Sequence, residues 1–204
     1  IMILIVSTPR SGSSLISKVL TDSGYFTEND IKKKDEFNRN GYFEDDSVNK
    51  ILSSILKKYD LKNEDRRYAP IGLKFDYENY KTFFVNITKH EKYFIKNIKI
   101  ALCYNVFYYF FSDSKVIILN RPKNKTIKSF NRTIFMNQFE NNNQIEKYLN
   151  SFRLNKIKIK ELFKNSIYID VDNIVYDKNN ERLKLNKFLG TKLDYSSINS
   201  EFWT

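Results

Sequence analysis

Ile1-Met2-Ile3-Leu4-Ile5-Val6-Ser7-Thr8-Pro9-Arg10-Ser11-Gly12-Ser13-Ser14-Leu15 opens the chain, and its reading decides the fold. Six consecutive apolar residues rich in Ile and Val suit a strand covered on both faces, because neither face then meets water. Pro9 and Gly12 follow at once, and after them a segment (LISKVLTDSG) in which Leu15, Val19 and Leu20 recur at helical spacing. Strand, tight loop and helix in that order form an anion site. The first N–H groups of a helix have no partner within it, the dipole is positive at that end, and a glycine lets backbone approach a ligand. Laid on the nucleotide-binding pattern G-x-x-x-x-G-K-[ST], Gly12 and Ser14 are in place, while Ser7 stands for the first Gly and Ser13 for the Lys. The cation that holds β- and γ-phosphates is therefore missing. Arg10 is left as the charge inside the loop, with a planar fork that can hold two oxygens at once, so the loop suits a smaller anionic group than a triphosphate. The plain alternative is a strand-to-helix turn capped by serines.

Two further runs read as buried strands, 115–120 (KVIILN) and 166–171 (SIYIDV), with a shorter one over 93–95 and a less marked one near 71–75. Between them, apolar residues recur at helical spacing around Val48 to Leu56, Val106 to Phe111, Ile145 to Leu162 and Leu183 to Leu189. Strand alternating with helix predicts an α/β fold: three layers, a parallel sheet with helices on both faces, of the P-loop nucleotide-kinase-like kind. No Pro/Gly/Ser-rich linker and no internal repeat divides the chain, which predicts a single domain over 1–204. The Asn-rich stretch 137–144 (NQFENNNQ) reads as a mobile loop or lid edge, or as low complexity without a role.

A chain of 204 residues that is 41% hydrophobic and 16% aromatic can bury a sizeable core. No stretch reaches the roughly 20 apolar residues of a membrane-spanning helix, and the opening apolar run is too short for a secretory segment. A cytoplasmic protein without a membrane span is expected. Cys103 is the only cysteine and His90 the only histidine, which excludes an internal disulfide framework and disfavours Cys/His metal clusters. Chemistry without a metal is expected. A net charge of +11 invites a nucleic-acid reading, yet 27 Lys, 24 Asn and 23 Ile beside two Ala, five Gly and three Pro is the pattern of AT-rich codon usage. A solvated basic surface without a nucleic-acid role is one reading of the charge, and attraction of an anionic ligand or polymer is the other.

The loop Pro9-Arg10-Ser11-Gly12-Ser13-Ser14-Leu15 resembles the 5′-phosphosulfate loop, P-R-S-G-[ST]-[ST]-L, of sulfotransferases that use 3′-phosphoadenosine 5′-phosphosulfate (PAPS). Other segments follow in the family's order. Arg39-Asn40-Gly41-Tyr42-Phe43-Glu44 is similar to N-P-x-G-[YF]-[FW]-E of bacterial members. Phe94-Ile95-Lys96-Asn97-Ile98-Lys99 resembles W-x-x-K-D-P-R, with Asp-Pro-Arg replaced by Asn97-Ile98-Lys99. The run from Val116 through Arg121-Pro122 to Ser129 resembles the element that binds the 3′-phosphate, and 168–190 resembles the closing Y-E-D-L stretch with its helix ending in F-L-G. Independently of the resemblance, Arg121 sits just past a buried strand, where open α/β sheets bind ligands, and Ser129 lies about two helical turns onward. A surface ion pair for Arg121 and a helix-surface role for Ser129 are the alternatives.

The resemblance implies transfer of a sulfuryl group from PAPS, with 3′-phosphoadenosine 5′-phosphate (PAP) as product, to a hydroxyl or amine. The acceptor would be a small molecule, a sugar or a lipid rather than a nucleic acid, and no metal is implied. It also implies cofactor binding by Pro9, Arg10, Ser11, Gly12, Ser13, Ser14, Arg121 and Ser129, and catalysis by Arg10, Lys96 and Glu44. Lys96 is otherwise a solvated lysine among many. Glu44, Asp45 and Asp46 equally suit the positive end of a helix starting near Asp46. Glu28, Asp35, Glu36 and His90 are rival general bases. Three other readings stand beside this one: a P-loop kinase or NTPase, against which Ser13 argues; a basic nucleic-acid module built on 89–99 (KHEKYFIKNIK); and a sulfotransferase-like protein that has lost its activity.

Overall fold

In the computed structural model of the chain, which describes residues 2–27, 41–58, 77–87, 92–133, 139 and 141–203, the apolar runs become strands of one parallel sheet. They are β1 (Ile3–Val6), β2 (Phe94–Lys96), β3 (Lys115–Asn120) and β4 (Ser166–Asp170), in the order β2-β1-β3-β4. Side chains alternate between the two faces of a strand, and here both faces are covered, which is why the sequence shows unbroken apolar runs instead of alternation. Leu4, Val6, Ile95, Val116 and Ile118 join one buried cluster with α2 (Asp46–Lys58), α3 (Lys81–Ile87), α4 (Tyr104–Phe111) and α6 (Asn142–Leu162). Ile3, Ile5, Phe94, Ile117, Leu119 and Ile169 join the other with α1 (Ser13–Asp22), α7 (Val171–Val175) and α8 (Glu181–Leu189). The fold is a three-layer α/β sandwich, as the alternation of elements predicts.

The strand order fixes where a ligand can sit. From β1 the chain passes to β2 on one side, and from β3 to β4 on the other, so the loops after β1 and β3 diverge and leave a crevice between them at the strands' C-terminal ends. Ser7 to Gly12 line it from β1, and Arg121 and Pro122 lead from β3 into α5 (Lys123–Phe130). The C-terminal segment returns to this place: Tyr195, Ile198 and Trp203 pack against the cluster under α1 and α7.

One expectation changes in detail. The Asn-rich stretch expected as a loop is in its second half the start of α6, whose N-cap Asn141 accepts from the backbone N–H of Gln144 at 3.1 Å. Residues 137, 138 and 140 lie outside the described residues, as does the strand expected near 71–75.

Candidate functional site

The loop after β1 takes its shape from two left-handed residues, Arg10 at φ 63° and Gly12 at φ 83°. Ser11 is buried, and its hydroxyl donates to the Thr8 carbonyl at 2.6 Å, which ties the turn together. Leu15 and Ile16 donate back to the Gly12 carbonyl, so the N–H groups of Ser13 and Ser14 precede the first helical bonds of α1. Ser7, where the nucleotide pattern has its first Gly, is buried with a hydroxyl that has no hydrogen-bond partner. Pro9 is half-buried beside it.

Arg10 meets two residues more than a hundred positions away, Arg121 and Ser129. The Arg10 Nε donates to the Ser129 Oγ at 3.1 Å, and the Arg121 Nη1 donates to the Arg10 carbonyl at 3.1 Å. Positive φ at Arg10 turns its carbonyl toward Arg121 while its side chain reaches α5. Two guanidinium groups and a hydroxyl thus share one crevice, an arrangement suited to an anion with several oxygens.

Arg121 is not a surface ion pair. Its side chain is only 4% exposed, with Nε 3.6 Å from the Asp172 Oδ1 and its guanidinium 4.3 Å from the centroid of the Trp203 ring. Burial and the charge of Arg10 lower its proton affinity below that of an ordinary arginine, against the opposing pull of Asp172. Asp172 also accepts from Lys125 Nζ and from Trp203 Nε1, both at 2.6 Å. Burial disfavours its charge, but these two hydrogen bonds and the charges of Lys125 and Arg121 together outweigh that and hold the carboxyl below the usual range.

Trp203 corrects the reason for Gly12. The sequence suggests a glycine that makes room for a phosphate; instead, a Cβ built there lies 2.5 Å from Trp203 and 2.6 Å from Val171. That side of the loop is filled by protein.

On the other flank, Ile5 of β1 pairs with Lys96, the last residue of β2. Lys96 is only 4% exposed, so it is not a solvated lysine, and its Nζ donates to Glu44 Oε1 at 2.9 Å and to the Tyr42 carbonyl at 2.8 Å. The acidic run 44–46 divides its work. Asp45, buried, caps α2 by accepting from Val48 N at 2.9 Å and takes the hydroxyl of Tyr93 at 2.9 Å, whereas Glu44 turns away to Lys96. Glu28, Asp35, Glu36 and His90 lie outside the described residues. Cys103 is buried, and burial pushes its thiol up to about 12, which leaves it inert. Among the described residues, no group of three His, Cys, Asp or Glu is placed to hold a metal ion, and no helix is long and apolar enough to cross a membrane.

The local sequence does not single out Asp172 or Trp203. Asp172 falls in the stretch resembling Y-E-D-L, and Trp203 is the only tryptophan in the chain; each was a weak signal without its partner.

The architecture with its loop after β1 is that of a P-loop-like α/β protein. In structure the chain is similar to a sulfotransferase from Alicyclobacillus acidocaldarius, at 13% identity and a TM-score of 0.50, over 95% of this chain and 84% of that one. The likeness shows the fold. No protein-family model matches the sequence, and no curated protein does.

Proposed function

We propose that the chain, acting as one domain, is a sulfotransferase that moves a sulfuryl group from PAPS to a hydroxyl or amine of a small-molecule, sugar or lipid acceptor. The observation that carries this reading is the meeting of Arg10, Arg121 and Ser129 at the crevice between β1 and β3, in a fold shared with a sulfotransferase. The residues present fit the donor: the crevice offers two cations, the helix start of α1 and the unpartnered hydroxyl of Ser7. When bound, the donor supplies an already activated sulfuryl group.

In this reading the backbone of Ser11 to Ser14 and the Arg10 guanidinium hold the 5′-phosphate oxygens, and Arg121 with Ser129 holds the 3′-phosphate. Positioning and charge stabilisation lower most of the barrier, as in phosphoryl transfer. Lys96, fixed by Glu44 and the Tyr42 carbonyl, presents its charge beside the loop. Glu44 takes the acceptor's proton. Calorimetry tests the donor site. PAP should bind more tightly than ATP, and Arg121→Ala should weaken PAP about 10- to 100-fold, the scale of a hydrogen bond to a charged group, while leaving adenosine 5′-phosphate nearly unchanged. Equal losses for both nucleotides would show that Arg121 does not read the 3′-phosphate.

A further inference from the structure

One side chain touches both walls of the crevice. The Trp203 ring lies against Gly12 in the loop after β1, and its centroid is 4.3 Å from the guanidinium of Arg121, just past β3. Its Nε1 donates to the Asp172 Oδ1 at 2.6 Å, and its carbonyl accepts from the Tyr176 hydroxyl at 3.2 Å. The consequence falls on Arg121, whose side chain is only 4% exposed. A guanidinium stacked on an indole this deep gives up part or all of the stack when it turns its fork to a phosphate.

The segment that carries Trp203 is fastened at its base and lightly held at its tip. Leu193 is buried, with its N–H on the Asn186 Oδ1 at 3.1 Å, and the Asp194 N–H donates to the Ser23 Oγ at 2.8 Å. The Tyr195 hydroxyl also reaches the Asn186 Oδ1, at 3.0 Å, and the Arg182 guanidinium lies 5.0 Å from the Tyr195 ring centroid. Beyond Ile198 there is one short 3-10 turn, Ser200–Phe202, in which Ser200 and Glu201 are exposed. Among the described residues, the hydrogen bonds that tie 199–203 to the rest of the fold are the two at Trp203. Releasing this tip strands no charge. Asp172 keeps its bond from Lys125 at 2.6 Å, while the indole N–H and the Trp203 carbonyl, on a half-buried residue, pass to water.

We propose that residues 199–203 form a latch on the donor site: Trp203 closes over Arg121 and parts from it when the 3′-phosphate captures the guanidinium, so that latch closure and donor binding oppose each other. The word donor rests on the sulfotransferase reading, whereas the latch rests on the contacts of Trp203. Coupling of this kind is reciprocal, so a change that loosens the latch tightens the ligand by the same factor.

Trp203 is the only tryptophan, and the parent chain therefore carries its own reporter. Titrations with PAP, adenosine 5′-phosphate and inorganic sulfate are followed by calorimetry for binding, and by tryptophan emission and acrylamide quenching for the latch. Saturating PAP should move the emission to longer wavelength and raise the quenching. Adenosine 5′-phosphate, which brings no 3′-phosphate to Arg121, should shift it little. Trp203→Ala should tighten PAP at least about threefold. Tyr176→Phe, at a residue 42% exposed, removes only the bond to the Trp203 carbonyl; it keeps the fold and should tighten PAP about twofold or more. PAP bound with emission and quenching unchanged, an equal shift with both nucleotides, or variants that bind PAP no more tightly than the parent would overturn the latch. Where PAP does not bind, sulfate decides: binding that shifts the emission sinks the sulfotransferase reading and leaves the latch standing, and binding without a shift, or none, sinks both.

Discussion

Replacing Gly12 by Ala adds one methyl group, and three terms act against it. The residue sits at φ 83°, where a Cβ costs about 1–2 kcal/mol. The new Cβ would lie 2.5 Å from the Trp203 ring and 2.6 Å from Val171, contacts that force both to shift, and overpacking of this kind costs roughly 1–3 kcal/mol. Together the loss is about 2–5 kcal/mol, a large share of the roughly 5–15 kcal/mol that holds a domain folded. Trp203 is the only tryptophan, so its fluorescence during urea unfolding reports directly on the segment that must move. The term due to the ring is isolated by repeating the substitution in Trp203→Ala, followed by circular dichroism. There the cost should fall by about 0.5–3 kcal/mol, the range of coupling between touching residues, but not vanish, because Val171 and the positive φ remain. A Gly12→Ala variant within about 0.5 kcal/mol of the parent, or costs that simply add, would refute the packing of Trp203 on the loop.

Glu44→Gln should lower kcat by about 100-fold once an acceptor is in hand, with PAP affinity kept; glutamine still offers Lys96 an oxygen, so the chain should fold, and a rate near that of the parent moves the proton transfer to another group. Stability should also depend on pH through Lys156, whose folded pKa of about 8 lies below its ordinary 10.5. Between these values the unfolded chain binds more protons, so stability rises with pH from about 8 to 10.5, by up to about 3 kcal/mol for this group. Denaturant melts of the parent and Lys156→Met across that range isolate it from Arg153, Lys123, Arg121 and Tyr168, which line one cavity with it; a difference between the two that is flat with pH refutes the buried charge.

Much of the fold was legible because burial on both faces writes itself into consecutive residues. The run 115–120 is β3 residue for residue, and 166–171 misses β4 by one, where Val171 already belongs to α7. The acidic run 44–46 was legible only as a class. Three carboxylates before a helix all suit its dipole, and nothing local distinguishes the one that caps, Asp45, from the one that crosses to Lys96, because the choice is made by β2, some fifty residues away. Lys156 was illegible for a similar reason. On a helix with many lysines, periodicity places it near Phe152 and Ile159, but its neutral partners are the last residues of β3, and only the packing of α6 on that strand end shows that one ammonium among many is buried.

The composition explains why there are so many cations, but not why these few are held as they are. Arg121 is the instructive one, because an anion already faces it. In a crevice meant for phosphate, Asp172 would compete with the ligand if Arg121 were its chief partner. It is not: Lys125 and Trp203 each reach Asp172 at 2.6 Å, whereas the Arg121 Nε stands at 3.6 Å, beyond hydrogen-bond distance. Taking Arg121 away from Asp172 therefore leaves the carboxylate with both of its short bonds, and redirecting the guanidinium costs part of its stacking on Trp203, about 0.5–2 kcal/mol, with part of its attraction to Asp172 and of its bond to the Arg10 carbonyl. A hydrogen bond to a phosphate is worth about 1.5–3 kcal/mol, the scale on which the proposed ligand would compete with those contacts. Under the proposed function, Asp172 and Trp203 act on Arg121 as a holder that keeps the guanidinium buried and oriented at the crevice, and yields it when a stronger anion enters.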